Sequence, residues 1–125
     1  MKTYKASSLG PLFVNSDRVA CFDIDDTLVT PTEKLYGDSA PIEFGEPGRS
    51  ELLFPITPHI KLLKEFAARD FFIIVWSDGG HHWARKVIER LGLTSYVDMI
   101  MSKPSWSVDD KEATEWIMKR TYLLK

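Results

Sequence analysis

Three apolar runs, each ending in polar residues, constrain this chain more than any other feature. They are Val19-Ala20-Cys21-Phe22 running into Asp23, Phe71-Phe72-Ile73-Ile74-Val75-Trp76 running into Ser77 and Asp78, and Tyr96-Val97-Asp98-Met99-Ile100-Met101 running into Ser102 and Lys103. Short, dense apolar runs are the pattern of strands buried in a parallel sheet. Parallel strands need crossover connections, and helical patterns lie between these runs. Thr57 is placed to cap a helix opening at Pro58, with Ile60, Leu63, Phe66 and Ala67 as its apolar stripe. A second helix is expected from His81 to Leu91, turning Ala84, Val87, Ile88 and Leu91 inward, with Gly92 as a left-handed C-terminal cap. A third is expected to start near Lys111, with Ala113, Trp116 and Ile117 facing inward. Strand and helix in alternation predict an α/β fold, a Rossmann-like parallel sheet flanked by helices.

At 125 residues the chain is sized for a single domain, residues 1–125. Residues 31–56 fit neither period: Pro31, Gly37, Pro41, Gly45, Pro47, Gly48 and Pro55 punctuate them, which predicts a loop or short hairpin inserted after the first strand. Leu12-Phe13-Val14 is a candidate short edge strand. The composition, 44% hydrophobic and 27% charged, is that of a soluble globular protein. A net charge of −2 argues against a broad basic footprint for duplex nucleic acid. No apolar run approaches a bilayer-spanning length, and Met1-Lys2-Thr3-Tyr4-Lys5 does not lead into a signal-peptide core. One cysteine, Cys21, leaves no internal disulfide framework and no cysteine-rich zinc site. A cytoplasmic protein is the expectation.

In an open parallel sheet, ligands bind at the carboxyl ends of the strands. Asp23, Asp25, Asp26 and Thr27 follow directly from the first run. Asp23 and Asp25 are two apart, so in extended chain they project from one face. Carboxylates that close repel unless a cation or a proton lies between them. Magnesium suits the pair, because it takes hard oxygen ligands, commonly one or two carboxylates together with substrate phosphate. The plainer alternative is an acidic turn capping a helix.

The motif has company. Phe22-Asp23-Ile24-Asp25-Asp26-Thr27-Leu28, then Val75-Trp76-Ser77-Asp78-Gly79-Gly80, then Ser102-Lys103-Pro104, then Val108-Asp109-Asp110 resembles the haloacid dehalogenase-like (HAD) hydrolase superfamily. The order and strand-end placement carry the likeness, which runs from Val19 to about Ile117. Small members from bacteria and their phages look particularly similar. The resemblance implies an abbreviated core with a minimal cap and a magnesium-dependent phosphatase. Asp23 would attack phosphorus and form an aspartyl-phosphate; Asp25 would protonate the leaving oxygen and later activate water. Ser77 would donate a hydrogen bond to the phosphoryl group, and the Ser77-Asp78-Gly79-Gly80 turn would offer it backbone N–H groups. Lys103 would offset the negative charge of nucleophile and phosphate. Asp110 would ligate the metal with Asp23 and with the backbone carbonyl of Asp25, supported by Asp109. One departure stands out: only Pro104-Ser105-Trp106-Ser107-Val108 separates Lys103 from the acidic pair, where the family usually has a helix and a strand.

Several conspicuous residues have plainer readings. His81 and His82 read as helix-start residues, and Trp83 and Trp106 as core packing. Cys21 reads as an inert small hydrophobe in a buried strand. Arg85, Lys86 and Arg90 read as a solvated helix face. The leading expectation is therefore a phosphomonoester hydrolase with an open site and a phosphorylated substrate, its oligomeric state left open. The alternatives are a phosphatase that processes nucleic-acid ends and a non-catalytic binding module on the same fold.

Overall fold

The computed structural model describes residues 18–32, 40–46 and 49–112. In chain order its elements are β1 (Val19–Asp23), β2 (Val29–Thr30), β3 (Ile42–Glu46), β4 (Arg49–Pro55), α1 (Thr57–Ala68), β5 (Phe72–Ser77), α2 (His81–Arg90) and β6 (Met99–Ser102), with a 3-10 turn at Thr94–Tyr96. β1, β5 and β6 make a three-stranded parallel sheet with β5 central. β2, β4 and β3 make a small antiparallel sheet with β4 central. The fold is thus mixed α/β, a parallel sheet with two helices. Within the punctuated insertion, β3 and β4 pair antiparallel. The expected third helix and the strand at Leu12-Phe13-Val14 lie outside the described residues, apart from Lys111 and Glu112, which are not helical.

Two boundaries differ from expectation for identifiable reasons. β6 starts at Met99, because Asp98 is already clamped to β5: its N–H donates to the Ile73 carbonyl at 2.9 Å and its carboxylate accepts from the Ile73 N–H at 2.7 Å. α1 starts at Thr57, with Ile56 in the cap position and no side-chain capping bond from it. Ile56 is completely buried, and its N–H donates to the Leu28 carbonyl at 2.8 Å. Apolar anchoring, rather than a threonine cap, therefore sets where α1 begins. The end of α2 is as expected, with Gly92 at φ 69°.

One core gathers both sheets and both helices. Phe22 and Ile24 from the β1 side and Ile73 and Val75 from β5 pack with Leu63 and Ala67 of α1 and with Ala84, Val87 and Ile88 of α2. Phe44 and Leu53 of the hairpin belong to the same cluster. Phe66 sits edge-on between Phe22 and Phe71, at 6.0 and 4.7 Å between ring centroids. Each such large side chain contributes about 1.5–3 kcal/mol when fully buried. Alternate residues of β1 face the other way. Val19 and Cys21 are exposed there, so Cys21 is not the buried hydrophobe expected. Partial burial still pushes its thiol up from the ordinary value. Neither helix is long and apolar enough to cross a membrane.

Candidate active site

The turn after β1 is held from several directions. Asp23 ends the strand, Ile24 is driven fully into the core, and Asp25 emerges exposed beyond it. The Ile24 carbonyl accepts from the N–H groups of Thr27, Leu28 and Val29 at 3.1, 2.8 and 3.3 Å. Asp26 takes a left-handed conformation, φ 60°, which aspartate tolerates better than most residues. Its carboxylate accepts from the Thr30 hydroxyl at 3.0 Å, and its N–H donates to the Val29 carbonyl at 2.7 Å. From α1, the His59 ring nitrogen Nδ1 donates to the Thr27 carbonyl at 2.6 Å. A carbonyl only accepts, so the proton of that bond belongs to Nδ1.

The ends of the neighbouring strands meet this turn. Asp23 is in register with Trp76, and Ser77 with Ser102. The Ser77 carbonyl accepts from Gly80 N–H at 3.1 Å and from Lys103 N–H at 2.9 Å, tying the segment after β6 to the end of β5. The Ser77 hydroxyl oxygen accepts from Gly79 N–H at 2.9 Å, and the Ser102 hydroxyl oxygen accepts from His81 N–H at 3.0 Å. The first turn of α2 therefore opens at the same edge of the sheet, where helix N–H groups favour an anion.

Burial pushes the Asp23 carboxyl above its ordinary value, and the charges of Asp25 and Asp78 push the same way. The Ile24 N–H and the Lys103 ammonium pull it back down. Asp23, Asp25, Asp78 and Lys103 thus share one electrostatic neighbourhood. A half-buried carboxylate flanked by other carboxylates and one cation is suited to a positive or phosphoryl-bearing ligand.

Most of the residues singled out from the sequence come together here. Asp23, Asp25, Asp78 and Lys103 do; Ser77 lies beneath them, 1% exposed, as the pivot of the turn. Asp109 and Asp110 are not among the charges that act on Asp23. They are exposed on the segment after β6, where the Asp109 carboxyl is held low by a side-chain hydrogen bond with Asp110 and by the Lys111 N–H at 3.0 Å. Among the described residues no three carboxylate, imidazole or thiolate groups gather as a metal cluster. The five residues between Lys103 and Asp109 form no helix or strand that would carry the pair back. Asp23 and Asp25 offer hard oxygen donors of the type magnesium takes, with Lys103 the one cation among the described residues acting on Asp23.

Two residues at the site were missed by sequence reasoning. Trp83 is not simple core packing: its indole N–H donates to Asp25 Oδ1 at 3.1 Å, while its ring meets Phe44 edge-on at 5.4 Å. The partners are 58 positions apart, and nothing local signals the bond. His59 had a visible signal, since it falls four residues before Leu63 on the buried face of α1. Trp106, also expected in the core, is 85% exposed. Lys86 and Arg90 are not merely solvated either. Lys86 Nζ reaches the Gly45 carbonyl at 3.5 Å, and the Arg90 guanidinium lies over the Phe44 ring at 5.5 Å.

Comparison with protein-family models, with curated proteins and with solved structures gave no match.

Proposed function

We propose that this chain is a magnesium-dependent phosphomonoesterase of the HAD type, with Asp23 as nucleophile. The observation that carries the reading is the convergence of three strand ends: Asp23 after β1, the Ser77 turn after β5, and Lys103, tied to Ser77 at 2.9 Å, after β6. A phosphoryl group entering there meets the Asp23 carboxylate in front, the Ser77-Asp78-Gly79-Gly80 turn at its side, and the Lys103 ammonium beside the nucleophile. Asp23 Oδ bonds to phosphorus as the bond to the ester oxygen breaks, and Asp25 gives its proton to that oxygen, releasing an alcohol. Asp25 then takes a proton from water as the water oxygen bonds to phosphorus; the acyl-phosphate bond breaks, giving inorganic phosphate and free Asp23. Magnesium, when bound, would be held by the Asp23 carboxylate and the Asp25 backbone carbonyl and would neutralise charge on the phosphate.

No insertion separates Gly79 from α2, and the β3–β4 hairpin is fastened to α2 by Phe44. Such a site is suited to broad activity on small phosphomonoesters. A second reading, the terminal phosphate of a nucleic acid, draws support from the exposed Trp106 shortly after Lys103, since an exposed indole can stack on a base. The test is turnover of aryl phosphate, alkyl phosphates and phosphate-ended oligonucleotides with magnesium and with chelator. Magnesium-dependent release of phosphate that Asp23→Asn abolishes is the expected result; metal-independent turnover, or none on any substrate, removes the reading.

A further inference from the structure

We infer that Trp83 is a positioning residue for Asp25, setting which carboxylate oxygen carries the proton to the leaving group. This role rests on the phosphatase reading above. Asp25 is exposed on a turn, so its carboxylate has no packed wall to fix its rotation. The Trp83 Nε1–H bond to Oδ1 at 3.1 Å supplies that restraint, and it leaves Oδ2 as the oxygen that carries the proton.

The donor is itself held in place. Trp83 lies in the first turn of α2, directly after the Ser77 turn, and its ring is half-buried. Phe44 of the hairpin packs edge-on against it at 5.4 Å and 63°. Arg90, on the same side of α2, lies over the Phe44 ring at 5.5 Å. Gly79 makes room on the other side. A Cβ there would stand 3.2 Å from Trp83 Cδ1 and 3.3 Å from Ser77 Oγ, tighter than ordinary packing. Hairpin, helix and turn thus converge on one indole, whose single polar atom points at the acid/base carboxylate. Its N–H can only donate, which suits a carboxylate oxygen and no other role in proton transfer.

In the first chemical step the bond from phosphorus to the ester oxygen breaks and Asp25 supplies the proton. An alkoxide needs that proton, whereas p-nitrophenolate leaves readily without it. Trp83→Phe keeps an aromatic ring against Phe44 and deletes only the donor. The expected result is that kcat/KM for an alkyl phosphomonoester falls about tenfold or more, while kcat/KM for p-nitrophenyl phosphate changes by less than about threefold. Equal losses on both esters would assign Trp83 a merely structural part and overturn the inference. If that variant does not fold, Phe44→Leu, which frees the indole from the far side, carries the same criterion. A second readout needs no turnover: in metal-free buffer the melting temperatures of Trp83→Phe, Asp25→Ala and the double variant should be non-additive. Additive shifts would remove the bond. A wild-type protein inert towards both esters, with non-additive melting, would leave the contact standing and take down the phosphatase reading and with it the catalytic role of Trp83.

Discussion

His59 on α1 donates to the carbonyl of Thr27 at 2.6 Å, tying the first helix to the turn that carries Asp23 and Asp25. His59 is 8% exposed, and its Nε2 is buried without a hydrogen-bond partner among the described residues. One ring nitrogen thus works as a strap while the other is left unsatisfied. His59→Ala should cost about 1–3 kcal/mol of stability, read as a lower denaturant midpoint at unchanged slope. Activity should fall with it, because the turn loses its tie to α1. A midpoint unchanged from wild type would show the strap to be idle.

The Asp23 carboxyl is raised mainly by burial, so in the folded protein its neutral form is favoured over that of the unfolded chain. Between the ordinary carboxylate value, about 3.9, and the raised folded value, the folded state binds more protons than the unfolded state. Asp23 therefore lowers stability as pH rises through that window, and its full cost is present at neutral pH. Asp23→Asn should accordingly melt at a higher temperature than wild type in metal-free buffer at pH 7, with the gain shrinking as the pH is lowered towards 4. A lower melting temperature at pH 7 would mean that Lys103 outweighs burial at this position.

Gly80 has φ 97°, a conformation that side chains rarely adopt, in the link from the Ser77 turn to α2. Gly80→Ala meets nothing closer than Ser102 Oγ at 4.0 Å, so its cost is backbone strain rather than collision. That cost should be about 1–3 kcal/mol, accompanied by weaker substrate binding as the turn re-forms. Stability equal to wild type would show that the turn accepts another path.

Much of the scaffold was legible in the residues because it is local. The apolar runs at Val19 and Phe71 became β1 and β5, and Gly92 ends α2 in the left-handed conformation its type favours. Asp23, Asp78 and Lys103 share a neighbourhood because each follows a strand of the same sheet. What was not legible depends on pairs distant in sequence. Tyr96 and Val97 look like strand, yet the Asp98 clamp on Ile73 delays β6 to Met99. Trp83 reads as a core aromatic until the turn of Asp25 is brought against it. Lys86 and Arg90 read as solvated until the hairpin places Gly45 and Phe44 beside them. The acidic pair at Asp109 and Asp110 reads as metal ligands by resemblance; it stands exposed on the short segment after Lys103 and is not among the charges acting on Asp23.

The hairpin is a structural part of the body, not a loose flap, because Phe44 is only 1% exposed and wedged between Trp83 and Arg90. Phe44→Ala should therefore destabilise the whole protein by about 3–5 kcal/mol in a single cooperative transition. Separate melting of the hairpin, with global stability preserved, would contradict this packing.

The central claim is that Asp23 itself becomes phosphorylated. The most direct measurement is rapid acid quench of the enzyme during turnover of p-nitrophenyl phosphate with magnesium, followed by peptide mass spectrometry. The expected result is a phosphoryl group on the peptide containing Asp23, borne by Asp23, and absent from Asp23→Asn and from chelated enzyme. Steady turnover with no phosphorylated peptide, or a phosphoryl group on another residue, would contradict it.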